Sequence, residues 1–83
     1  MVLDGVSVDD WVVRELAAHV DGPLRRKLEQ ALFFSARVVA LTSRERVAVL
    51  AAFEQLPWRF EEVRETLLAG DQWAEALPST RLM

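Results

Sequence analysis

The chain has 83 residues, of which 52% are apolar, 8% aromatic and 28% charged, and its net charge is −3. That length makes one domain and excludes a multidomain enzyme, while the apolar fraction excludes a disordered chain. No cysteine is present, which removes disulfide scaffolds and thiolate metal sites, and no stretch approaches the ~18 uninterrupted apolar residues of a membrane span.

Residues 1–6 read as a short flexible leader containing Gly5. Ser7 fits a helix N-cap, with Asp9 and Asp10 in the first turn, where the helix dipole favours negative charge. Val6 and Trp11 then take the positions of a hydrophobic staple. The first helix is predicted over 8–20, with Val8, Trp11, Val12, Leu16 and Val20 on one face.

Asp21-Gly22-Pro23 breaks that helix and opens the next, since proline is tolerated in a first turn. The second helix is predicted to run to residue 40, with Leu24, Leu28, Ala31, Leu32, Ser35, Val38 and Val39 as its apolar stripe. Ser35 lies on that stripe, where its hydroxyl can bond the carbonyl one turn back. Phe33 and Phe34 are adjacent, so one of them must flank the core, cover another helix or meet a partner.

Thr42 followed by Glu45 is a capping box, in which side chain and backbone satisfy each other. The helix it opens is predicted over 43–56. Val47, Val49, Leu50, Ala51, Ala52 and Phe53 surround most of its circumference, the pattern of a central, buried helix. Pro57 ends it, and Trp58-Arg59 form a short connection. A fourth helix is predicted over 60–69, with Phe60, Val63, Leu67 and Leu68 inward and Gly70 as a left-handed stop. Asp71 opens a last turn carrying Trp73 and Leu77, and residues 78–83 read as a flexible polar tail. No strand pattern competes. The expected fold is a single all-α domain over 1–83, a compact bundle of four helices plus a short C-terminal helical turn.

Charge is segregated along the chain. Residues 1–21 carry net −4, 22–41 net +3, 42–59 net +1 and 60–83 net −3. Arg25-Arg26-Lys27 sits near a helix N-terminus, where cations oppose the dipole. The cluster reads either as a solvated face or as a docking patch for an acidic partner. Nine of the ten basic residues are Arg, and Ile, Asn and Tyr are absent, a bias that suggests GC-rich codons and a bacterial or phage source. No signal peptide is visible, which makes the cytoplasm the default expectation.

Chemistry-bearing patterns are weak. His19 and Glu15 share a helix face, but a metal site needs three or four ligands. The serines are explained at helix starts, on the stripe or in the tail. Asp9-Asp10 and Glu61-Glu62 are helix-start residues, and the three glycines adjoin turns rather than forming a phosphate loop. The expectation is a protein without catalysis and without a cofactor or metal.

Leu41-Thr42-Ser43-Arg44-Glu45-Arg46-Val47-Ala48-Val49-Leu50 resembles the opening of a LuxR-type or sigma-region-4-type helix-turn-helix, which typically begins Leu-Thr-x-Arg-Glu-Arg-x-Val-Leu. The likeness covers about one eighth of the chain and implies DNA binding through residues 42–69. The sequence then departs from that pattern at Leu56-Pro57-Trp58-Arg59. The segment that would read DNA carries Glu61, Glu62 and Glu65 against Arg64, a charge that repels phosphate. Nucleic-acid binding is therefore the alternative. The favoured expectation is a protein–protein interaction module, adaptor, regulator or inhibitor, possibly homodimeric, with no membrane role. Its expected contact residues are Trp58, Phe33, Arg25, Arg26 and Trp73.

Overall fold

The computed structural model describes residues 1–76. The expected Leu77 contact and the tail 78–83 lie outside the described residues. The fold is mostly helical, but it also holds a small sheet, so the all-α expectation is corrected. In chain order the elements are β1 (Val2–Leu3), β2 (Val6–Ser7), α1 (Asp10–Ala17), α2 (Gly22–Phe33), β3 (Val38–Val39), α3 (Ser43–Phe53), a 3-10 turn (Trp58–Phe60), α4 (Glu61–Leu68) and α5 (Asp71–Ala74).

The segment read as a leader is the centre of the sheet. Asp4 and Gly5 both take positive φ, 47° and 95°, as a two-residue hairpin turn of type I′ requires. That turn folds β2 back antiparallel on β1, with Leu3 opposite Val6, and β3 joins the other side of β1 in parallel, with Leu3 opposite Val39. Leu3 is fully buried. Ser7 therefore lies in a strand and is not a cap. Asp9 takes the N-cap position of α1 without a side-chain cap bond.

Asp4 ties three elements to the turn. Its N–H donates to the Val39 carbonyl at 2.7 Å. Its carbonyl accepts from Gln72 Nε2 at 2.6 Å and from Trp73 Nε1 at 3.2 Å, which docks α5 under the hairpin. Its carboxylate pairs with Arg46 of α3, and that guanidinium also donates to the Leu41 carbonyl and to the Ser43 hydroxyl.

Helix α3 begins at the expected capping box. Thr42 Oγ1 accepts from the Glu45 N–H at 3.1 Å, and Glu45 Oε1 accepts from the Thr42 N–H at 2.9 Å. The same Glu45 oxygen receives Lys27 Nζ at 2.7 Å, which pins α2 to the start of α3. Only one face of α3 is buried, through Val49, Leu50, Ala52 and Phe53, whereas Val47 and Ala51 are exposed. The helix is thus not enclosed all round. Gly70 is extended, at φ −83°, and caps the start of α5 rather than stopping α4 in a left-handed conformation.

The core joins both layers. Its fully buried side chains include Leu3 from the sheet, Val12, Val13 and Leu16 from α1, Leu28 from α2, Val49 from α3, and Phe60, Leu67 and Trp73 from the C-terminal elements. No helix among the described residues is long and apolar enough to cross a membrane.

Candidate interaction surface

The most distinctive surface is created where α2 stops. The stripe predicted the helix to continue to residue 40, but it ends at Phe33. Ser35 turns left-handed at φ 53°. The Ala36 N–H then donates to the Ala31 carbonyl at 2.8 Å, and the Ser35 N–H to the Leu32 carbonyl at 3.2 Å. This pair of bonds is a Schellman stop, with serine at the position glycine usually fills. Ser35 is therefore a terminator, not a member of the stripe. The stop frees Val38 and Val39, two β-branched residues, to pair with β1.

One consequence is that Phe33 and Phe34 stand outside the core, 77% and 74% exposed, with their rings edge-on at 4.9 Å. Val38, assigned by its spacing to the buried stripe, is 67% exposed. Phe side chains offer ~150–250 Å² each, so these three residues leave roughly 400 Å² of apolar surface in the solvent. That matches the largest apolar patch, about 300–600 Å², of a typical monomer, and such patches are often functional.

A second consequence is an unpaired sheet edge. The Arg37 and Val39 carbonyls accept from β1, through the Val2 N–H and the Asp4 N–H, both at 2.7 Å. Successive peptide groups of a strand point to opposite sides, so the N–H and C=O of Val38 point away from β1. The sheet order β2-β1-β3 leaves no strand there among the described residues.

The expected cation cluster divides into separate roles. Arg25 pairs with Glu29 at 3.7 Å, one turn along the same exposed face. Lys27 is structural, bound to Glu45 and to the Ala40 carbonyl at 3.2 Å. Arg26 is exposed on the outer side of α2, as is Phe33 seven residues on, and neither Arg26 nor Arg37 makes an ion pair among the described residues. The Lys27 ammonium and the Thr42 backbone N–H both hold the Glu45 carboxyl below its ordinary range.

The three tryptophans have three different roles. Trp58, in the 3-10 turn, is 85% exposed. Trp11 is 46% exposed and lies on Phe60, centroid to centroid 5.3 Å, rather than closing a staple with Val6. The Arg59 guanidinium covers the same Phe60 ring at 5.5 Å. Trp73 is fully buried, with its indole N–H bonded to the Asp4 carbonyl, so the expectation of a surface contact there is corrected. The structure does not gather the expected contact residues into one patch. Phe33 and Arg26 lie on α2, Trp58 lies beyond α3, and no aromatic contact joins Phe33 to Trp58 among the described residues.

Two further regions are defined. A shallow groove of about 610 Å³ lies between the α1–α2 turn and the outer side of α3, lined by His19, Leu24, Arg44, Ala48 and Ala51 among others. His19 there donates from Nδ1 to the Glu15 carbonyl at 3.0 Å, closing the end of α1. On α4, Arg64 is held by Glu54 at 3.7 Å and Glu61 at 4.0 Å, while Glu61, Glu62 and Glu65 are exposed.

Phe34 and Val38 are the surface residues that spacing alone missed. For Phe34 the signal available was the pair of adjacent phenylalanines itself, since a helix cannot bury both in one stripe, whereas the spacing of Val38 held no such signal. The chain matches no family model, no curated protein and no solved structure.

Proposed function

We propose that this chain is a non-catalytic protein–protein interaction module whose main contact surface is Phe33, Phe34 and Val38. The observation that carries the reading is the exposed phenylalanine pair beside an unpaired sheet edge. Apolar anchors of this kind dominate binding energy where a partner desolvates them, and edge strands invite pairing. Arg26 and Arg37 border the patch in sequence and carry no internal pairing among the described residues, which suits them to set the orientation of a partner. Trp58 offers a separate contact point, and Arg25 contributes less because Glu29 already holds it.

The test is a photo-crosslinking amino acid placed in host cells at Phe34 and, as a control, at Glu65 of α4. Discrete adducts heavier than the chain are expected from the first position and not from the second. No adduct at Phe34, or equal adducts at both, overturns the reading. Duplex binding through residues 42–69 has less support, because α4 presents three exposed carboxylates and its one cation is already paired. That alternative predicts a low-salt gel shift weakened by Arg44→Glu.

A further inference from the structure

We infer that the occupant of the free edge of β3 is a second copy of this chain, paired antiparallel about a two-fold axis through Val38. This rests on the reading of Phe33, Phe34 and Val38 as a contact surface and adds which partner covers it.

The free edge of β3 is short. The Ala40 carbonyl, which points to the same side as that of Val38, is occupied by Lys27 Nζ at 3.2 Å. On the other flank the Ala36 N–H is committed to the Ala31 carbonyl. The open edge is thus centred on the single residue Val38. A long guest strand gains little from so short an edge. A two-fold pair needs only this residue, because Val38 opposite its own copy exchanges both N–H···O=C bonds at once.

Two hydrogen bonds do not hold a dimer in water, so apolar burial must contribute most of the stability. An interface that encloses the exposed Phe33, Phe34 and Val38 of both copies covers roughly 800 Å² of apolar surface. Rim residues such as Gln30 and Arg37 bring the total near the lower bound of ~1,200 Å² for a specific interface. The result is a weak, concentration-dependent dimer with a continuous sheet of two hairpins and two β3 strands.

Charge is compatible with this register. Arg37 lies opposite the second copy's Val39, so the two Arg37 residues are diagonal neighbours, about 7–8 Å apart at their Cα atoms. Their repulsion is screened at physiological salt, where the Debye length is about 8 Å. Dimerisation therefore strengthens as salt rises.

Light scattering on a size-exclusion column, with the full chain loaded from about 10 µM to about 1 mM, reads the mass directly. The expected result is a rise from 9.4 kDa toward twice that value. Phe33→Ser/Phe34→Ser and, separately, Val38→Lys should hold the chain at the monomer mass with unchanged circular dichroism, since all three side chains are exposed. A monomer throughout, a dimer unaffected by Val38→Lys, or association that weakens as salt rises each overturns the proposal.

The register has its own test. The chain lacks cysteine, and hydrogen-bonded antiparallel partners have Cα atoms about 5.5 Å apart, inside the disulfide range. With oxidised glutathione as electron acceptor, Val38→Cys should form a covalent dimer at least tenfold faster than Glu65→Cys, and equal rates overturn the pairing. A monomeric chain whose Phe34 adducts contain another protein refutes the second copy and leaves the interaction module standing.

Discussion

Replacing Trp73 by Phe and Trp58 by Ala separates the core from the surface in one pair of measurements. Trp73 is fully buried and hydrogen-bonded to the Asp4 carbonyl, whereas Trp58 is the most exposed large apolar residue among the described residues. Truncating a buried tryptophan to alanine costs about 3–5 kcal/mol. A domain of this size has only about 4–12 kcal/mol in total, so the milder Trp73→Phe keeps the experiment in range. That change removes one net hydrogen bond, about 1 kcal/mol, and leaves a void worth about another 1 kcal/mol. With a urea slope of about 1 kcal/mol per molar for a small chain, the midpoint should fall by about 2 M. Trp58→Ala, although a far larger truncation, should move it by less than about 0.5 M. Urea titrations followed by circular dichroism at 222 nm give both values. Equal losses in the two variants, or a neutral Trp73→Phe, refute the placement of α5 beneath the hairpin and with it the burial of Trp73.

Ser35→Gly should raise stability by about 0.5–1 kcal/mol, because glycine takes the left-handed stop without the Cβ penalty, and thermal melts check it. Asp4→Ala should cost about 2–4 kcal/mol, because it strands the half-buried Arg46 guanidinium and removes a side chain that tolerates positive φ. Asp4→Asn should cost less, and chemical denaturation ranks the two. Glu45 has a carboxyl held below the value it takes when unfolded, so its contribution is complete above about pH 5 and is lost as pH falls through the depressed value. Glu45→Gln should therefore flatten the stability profile between about pH 5 and pH 3, measured as urea midpoints across that range, and an unchanged slope refutes the Lys27 linkage.

The helices were legible where local signals and burial agreed. The capping box at Thr42 and Glu45 is local chemistry, independent of tertiary context, and the structure contains both of its bonds. The stripe Leu24, Leu28, Ala31 is periodic and buried. The sheet was missed because each strand is two residues long, too short for alternation to register against helical spacing. Yet Val2-Leu3-Asp4-Gly5-Val6-Ser7 holds a readable hairpin, since Asp-Gly between apolar residues is the strongest short turn signal. The end of α2 was harder. A serine in a left-handed stop looks like any serine on a stripe, and Val38 and Val39 satisfy helical and extended spacing equally. Only pairing with β1, contributed by partners 36 residues earlier, decides between them.

That same decision determines which aromatics remain outside. Had α2 continued to residue 40, Val38 and Val39 would have extended its buried stripe, and β1 would have kept an open side. Stopping the helix at Ser35 moves Val39 into the core, completes the sheet around β1 and exposes Val38 at the new edge. Phe33 and Phe34 are left on the last turn of α2, where burying them would require a further layer that the described residues do not supply. Their exposure follows from the way the sheet forms and not from any gain in stability. Two exposed phenylalanines favour association in water, so their surface is tolerable in a folded chain chiefly when a contact covers it. In the proposed dimer, the free edge at Val38 specifies the geometry of the contact, and the phenylalanine pair contributes most of its energy.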